Sequence, residues 1–80
     1  MMVSEEDIRS IIGQVESLKE KAYSIDGNKD FASQGIDSLD MLSVYLMIQE
    51  RYNVEIPDED IPKLDSIKSI VEYLNSRLNG

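Results

Sequence analysis

Three runs of apolar residues recur at the spacing of one helix face, and stretches rich in turn-forming residues separate them. In a chain of 80 residues this pattern leaves little room for anything but a helical bundle. The first run, Ile8, Ile11, Ile12, Val15 and Leu18, predicts one continuous helix from Ser4 onward. Ser4 is placed to cap it, and Glu5, Glu6 and Asp7 stand in its first turn, where the helix dipole favours negative charge. Lys19 and Lys21 stand near the opposite end, as the dipole also favours. The last run, Ile67, Ile70, Val71, Leu74 and Leu78, predicts a helix capped by Asp65 or Ser66 and ended by Asn79 and Gly80.

The middle run is apolar over much of its circumference. A helix from Ser38 to about Tyr52 is expected, and Asp37 and Asp40 have the spacing of a capping box, with Asp shorter than the usual Glu at the second position. Leu39, Leu42, Leu46 and Ile48 are expected to cover the core, while Met41, Val44, Tyr45 and Met47 extend apolar surface around the cylinder. Such a helix is either buried on most sides or uses part of that surface for binding. Residues 24–36, "SIDGNKDFASQGI", form a long connection that Ile25, Phe31 and Ile36 are expected to pin. Residues 54–65 hold both prolines, five acids and one base, with a short helical turn expected over 58–63. The expected fold is all-α: one domain over residues 1–80, a small bundle of three main helices plus one short helix, with a long loop between helices one and two.

Sixteen acids against eight bases give a net charge of −8. A surface of that sign repels phosphates, which excludes nucleic acid as a partner and favours proteins with basic patches. There is no cysteine and no histidine, so the commonest nucleophile–base pairs and zinc ligands are missing. "MMVSEEDIRS" has no basic segment leading into an apolar core, and no apolar run approaches the length of a membrane span. A monomeric cytoplasmic protein is expected, free-standing because the chain starts at Met and ends just after the last helix.

Against that background "SQGIDSLDMLS", residues 33–43, raises the question of what Ser38 does. It makes a poor catalyst: no histidine exists to act as its base, no lysine is near it in sequence, and Asp37 and Asp40 disfavour an alkoxide. It makes a better substrate, since a helix start is exposed and first-turn amides suit an attached phosphate. The plainer reading is a helix start built for stability alone.

"GIDSLD", Gly35 to Asp40, resembles the modification motif of acyl carrier proteins, and "ERYNVEIPDEDIPKLDSIKSIVEYL", residues 50–74, resembles the end of helix two, the acidic turn and the last helix of that family. The resemblance implies that a phosphopantetheinyl transferase moves 4′-phosphopantetheine from coenzyme A onto Ser38. The thiol of that arm then carries acyl intermediates (fatty acyl, polyketide or related) as thioesters to partner enzymes with basic patches. The carrier itself would catalyse nothing and bind no metal. It further implies that Gly35 lets the loop turn where a side chain would crowd the arm, that Asp37 and Asp40 cap the helix and attract basic partners, that Leu39 anchors the first turn in the core, and that Met41 is an exposed apolar contact. Tyr45, Leu46, Ile48, Ile56, Ile61, Ile67 and Ile70 would line an acyl pocket, although core packing accounts for them equally well.

Two departures qualify the match. Ser43, Tyr45, Gln49 and Arg51 occupy a helix-two region where fatty-acid carriers hold more acids, so the helix should bind the basic patches of fatty-acid enzymes less well, which leaves room for a dedicated carrier in a specialised pathway. Gln34 precedes Gly35 where the family places an apolar residue, leaving Phe31 to fill the space. The alternatives are an aminoacyl or peptidyl carrier, an unmodified acidic adaptor, and an EF-hand-like calcium protein. The last rests on residues 26–37, which offer oxygen ligands at positions 1, 3 and 5 but put Phe31 where glycine is needed, Ser33 at the usually apolar position 8, and Asp37 in place of the closing glutamate.

Overall fold

Ser4 caps the first helix as the sequence predicts. In the computed structural model, which describes residues 2–79, its Oγ accepts from the Asp7 amide at 3.3 Å and the Asp7 carboxylate accepts from the Ser4 amide at 3.0 Å. These bonds close a capping box and hold the Asp7 carboxyl below the usual carboxylate range. The helix it opens, α1 (Glu5–Ile12), buries Ile8, Ile11 and Ile12.

Continuation of α1 to Leu18 is not observed. Beyond Ile12 the amides of Gln14 and Val15 bond three residues back, to Ile11 and Ile12, Val15 turns extended, and only a 3-10 turn, Glu16–Leu18, follows. Gly13 is the weak point, since glycine in a helix interior costs about 1 kcal/mol relative to alanine. The returning chain packs close by: a Cβ on Gly13 would lie 3.6 Å from that of Ala22. Arg9 donates to the carbonyls of Ala22 at 2.9 Å and Ile25 at 2.6 Å, fastening the segment to α1. Leu18 and Ala22 still reach the core, so the apolar pattern outlasts the helix that it predicted.

The long connection is pinned as expected, with Ile25, Phe31 and Ile36 all buried. Its backbone also pairs with the start of the last helix: Phe31 N–H donates to the Asp65 carbonyl at 2.8 Å, and Lys68 N–H donates to the Gly27 carbonyl at 3.0 Å.

The second helix, α2 (Ser38–Tyr52), has the predicted bounds but is rotated from the predicted orientation. Met41, Val44, Tyr45 and Ile48 face inward, whereas Leu39, Leu42 and Leu46 are 70%, 46% and 61% exposed. The physical reason is the width of the two stripes. The residues at 41, 44, 45 and 48 form an unbroken i, i+3, i+4, i+7 face, while the leucine stripe runs into polar Ser43, Gln49 and Glu50. Asn53, in the left-handed region at φ 52°, ends the helix.

Pro57 leads into a 3-10 helix, Asp58–Lys63, where a short turn was expected. The last helix, α3 (Ile67–Asn79), is capped by Ser66, whose Oγ accepts from the Ser69 amide at 3.0 Å. Ile67, Ile70 and Leu74 are fully buried, and α1 packs against both α2 and α3. The predicted stop at Gly80 lies outside the described residues. No helix among the described residues is long and apolar enough to cross a membrane.

Asp60 ties the 3-10 helix to α3. Its nearly buried carboxylate accepts from Tyr73 Oη at 2.7 Å, Arg77 Nη2 at 3.0 Å and Lys63 Nζ at 3.2 Å. The Tyr73 bond, then Lys63 and Arg77, hold its pKa below the ordinary value. A depressed folded-state pKa contributes stability that is complete above the unfolded value of about 3.9 and is lost as the pH falls through the folded value. Asp60→Asn should therefore melt several degrees below wild type at neutral pH. Melts followed by circular dichroism should show that gap closing below about pH 4; a gap that stays constant into acid would remove Asp60 as its source.

Candidate functional site

The turn that leads into α2 is built from the residues 31–37. A 3-10 turn, Ala32–Gln34, ends at Gly35, whose φ of 79° and ψ of 22° lie in the left-handed region. A Cβ at Gly35 would meet nothing within 4 Å, so the chain needs glycine there for its backbone angle and not for space within the protein. Gly35→Ala should accordingly cost about 1–2 kcal/mol in urea unfolding with little change in structure; an unchanged midpoint would contradict the backbone argument.

Gln34 explains its own departure from an apolar residue. Its side-chain oxygen accepts from the Asp26 amide at 2.7 Å, and its nitrogen donates to the carbonyls of Asp26, Lys29 and Asp30 at 3.0, 3.1 and 3.3 Å. One carboxamide thus gathers the long loop, a role the sequence signals only by putting a polar residue where an apolar one is usual. Lys21, distant in sequence, donates to the Gly35 carbonyl at 3.4 Å and brings a cation to this turn.

Asp37 is the N-cap of α2, its carboxylate accepting from the Leu39 amide at 3.0 Å. Asp40, half-exposed, does not return the bond of a capping box; its amide only reaches the Asp37 carbonyl at 3.1 Å. Ser38 is therefore not the cap. It is the first residue of the helix, exposed, and its hydroxyl has no hydrogen-bond partner among the described residues. Among the described residues no general base is hydrogen-bonded to it, so nothing there activates the hydroxyl as a nucleophile.

Beside Ser38 lies an apolar hollow of about 470 Å³, lined by Phe31, Ile36, Met41, Leu42, Tyr45 and Leu64 among others, with Asp30 and Asp65 also on its wall. Its volume is in the range of small-molecule sites. Met41, expected to be an exposed contact, is 3% exposed and forms part of this wall; Leu39, expected in the core, stands in solvent. Tyr45 is buried with its hydroxyl donating to the Leu64 carbonyl at 2.7 Å, and burial pushes its phenol up to about 12.

Further along α2 a second hollow of about 490 Å³ is bounded by Leu46, Gln49, Ile56 and Pro57, and it shares Leu42, Tyr45 and Ile61 with the first. Of the residues expected to line a pocket, Tyr45, Leu46, Ile56 and Ile61 border these hollows. Ile48, Ile67 and Ile70 border neither; they are fully buried in the core between helices. Gln49 supports the second hollow, its side-chain oxygen accepting from the Ile56 amide at 3.0 Å.

The exposed leucines of α2 form an apolar strip with acids at both ends: Asp37 and Asp40 at the start of the helix, Glu55 and Asp58 past its end. Among the described residues no three acidic side chains gather in a way that would hold a metal ion. In the loop that echoes a calcium site, Asp26 Oδ1 instead accepts from the Asn28 amide at 2.9 Å, the bond of an ordinary turn.

Compared with known families, the chain matches the model described as phosphopantetheine attachment site over residues 6–74, a span that includes all of the features just described.

Proposed function

The chain belongs to the phosphopantetheine attachment site family, whose domains carry 4′-phosphopantetheine covalently, and on that premise we propose that it is an acyl carrier protein with the arm on Ser38. The observation that carries this reading is the exposed Ser38 hydroxyl, without a hydrogen-bond partner among the described residues, at the first position of α2 and on the rim of an apolar hollow. The residues fit the group: first-turn amides and the positive end of the helix dipole favour an attached phosphate, and the hollow offers apolar surface to what the arm carries.

Ser38 lacks a base of its own, so the transferase supplies one. Ser38 Oγ attacks the phosphorus next to the pantetheine of coenzyme A; a new O–P bond forms, the bond to the nucleotide portion breaks, and the serine proton passes to the transferase's base. The attached arm supplies a thiol for thioester formation, and with no cysteine in the chain that thiol has no internal competitor. The protein performs no chemistry on the cargo.

Phosphopantetheinyl transferase and the acyl-loading and acyl-processing enzymes are the partners, docking on the leucine strip of α2. An apolar centre with acids at each end suits a partner surface that is apolar with a basic rim. Ser43, Gln49 and Arg51 leave the middle of the helix without the acids of a fatty-acid carrier, which supports a dedicated role in a specialised pathway. An aminoacyl or peptidyl cargo is the second reading, favoured by the negative charge of two acids among the residues lining the hollow, Asp30 and Asp65, which would attract a cargo ammonium.

Incubation with coenzyme A and a broad-specificity phosphopantetheinyl transferase tests the proposal. Intact mass should rise by one phosphopantetheine. No increment, under conditions that modify a control carrier, would leave Ser38 as part of a structural helix start.

A further inference from the structure

The two hollows along α2 meet at three residues, Leu42, Tyr45 and Ile61, and Tyr45 differs from the other two. Leu42 and Ile61 are part-exposed aliphatic side chains with no directional tie. Tyr45 is 7% exposed, and its hydroxyl bond to the Leu64 carbonyl spans from α2 to the end of the 3-10 helix Asp58–Lys63. A ring held at its root by a helix and at its tip by a buried backbone carbonyl cannot swing aside without breaking that bond. The carbonyl would then have to find another donor.

Resting on the carrier reading above, we propose that Tyr45 is the specificity-determining residue of the cargo site: it closes the hollow beside Ser38 against the second hollow and limits the carrier to short acyl groups. Ser38 and Tyr45 are two helical turns apart, about 10 Å along the axis at the usual rise per residue. An acyl group entering beside Ser38 has Phe31, Ile36, Met41 and Tyr45 around it. Only past that ring would it reach Leu46, Ile56 and Pro57. The ring therefore converts what would be one long trough into a short compartment and a separate outer groove.

The Asp60 clamp supports the same partition from the other side. Ile61 follows Asp60 directly, and Tyr73 and Arg77 hold Asp60 against α3. The wall carrying Ile61 is thus fixed at Asp60 by α3 and at Leu64 by Tyr45. Removing the tyrosine hydroxyl frees one attachment; removing the ring joins the two hollows.

The test loads the full chain from a series of acyl-coenzyme A compounds, butanoyl through decanoyl, using the transferase. Two quantities are read: amide chemical shifts relative to the unacylated holo form, and the rate of thioester hydrolysis. In wild type the butanoyl group should perturb Phe31, Ile36 and Met41. Lengthening it should leave Leu46 and Ile56 unmoved, and hydrolytic protection should level off. In Tyr45→Val the longer chains should perturb Leu46 and Ile56, and protection should keep rising several-fold along the series. Tyr45→Phe, which keeps the ring and loses the bond to Leu64, should lie between the two.

Perturbation of Leu46 and Ile56 by long chains in wild type would overturn the partition whatever the variants do, including a Tyr45→Val chain that fails to fold. A length profile in Tyr45→Phe and Tyr45→Val identical to wild type would also overturn it while leaving the carrier reading intact. Absence of any loading would overturn the carrier reading itself and the partition with it.

Discussion

Ser38→Ala is expected to abolish phosphopantetheinylation completely while leaving the fold in place. The hydroxyl has no partner among the described residues, so its loss leaves no buried group unsatisfied. The cap of α2 is Asp37 through the Leu39 amide, and that bond survives the substitution. Alanine is also the best helix former at an exposed helical position. Stability should therefore stay within about 0.5 kcal/mol of wild type, as for surface substitutions generally. Separation of the two effects is the informative part. Loss of loading together with a large drop in melting temperature would assign Ser38 a structural role; retained loading on Ser38→Ala would move the attachment point elsewhere.

The second large effect concerns the orientation of α2. Ile48→Ala removes a fully buried side chain and should cost about 2–5 kcal/mol, the range for deleting a large aliphatic side chain from a packed core. At roughly 4–8 °C per kcal/mol for a domain of this size, the melting temperature should fall by some tens of degrees at the upper end. Leu46→Ala, two positions earlier and 61% exposed, should change it by no more than about 3–4 °C. The sequence expectation assigned both residues to the core-facing set, so the contrast discriminates between orientations of the helix. Equal losses, or a larger loss at Leu46, would contradict the observed burial.

The uneven legibility of this chain has physical causes. Both ends of α2 could be read because local chemistry dictates them: Asp37 is a good cap, and Asn53 and Pro57 follow the last turn. Its rotation could not, because leucines on one face and Met41, Val44, Tyr45 and Ile48 on the other satisfy the same helical period. The signal that discriminates them is the wider, uninterrupted stripe, which buries more surface than a strip broken by Ser43 and Gln49. The consequence reached the site, exchanging the expected places of Leu39 and Met41.

The end of α1 departs from the sequence expectation for a related reason. Leu18 does reach the core, so periodicity alone favoured a continuous helix; the interruption comes from Gly13 and from the packing of Ala22 back against it. Other features depend on pairings distant in sequence and leave no local trace. Arg9 on two loop carbonyls, Asp60 between Tyr73 and Arg77, and the Tyr45 bond to Leu64 are of this kind. Gly35 was legible as a turn residue, with its cause in the positive φ of the backbone.

The turn, cap and helix start of the candidate site were legible because they are local. A glycine, a capping aspartate and a serine at the start of a helix are read from six consecutive residues, and "EIPDE" downstream places the remaining elements. What lies around the serine is not local: the hollow is assembled from the long loop, α2 and the 3-10 helix, and four of the seven residues expected to line a cargo pocket border the two hollows observed.

The most direct measurement is peptide mapping of the protein after reaction with coenzyme A and transferase. The account predicts one phosphopantetheine per chain, confined to the peptide containing Ser38 and localised by fragmentation to that residue. Modification at Ser33 or Ser43, or none on a chain that is folded and exposed to an active transferase, would contradict it.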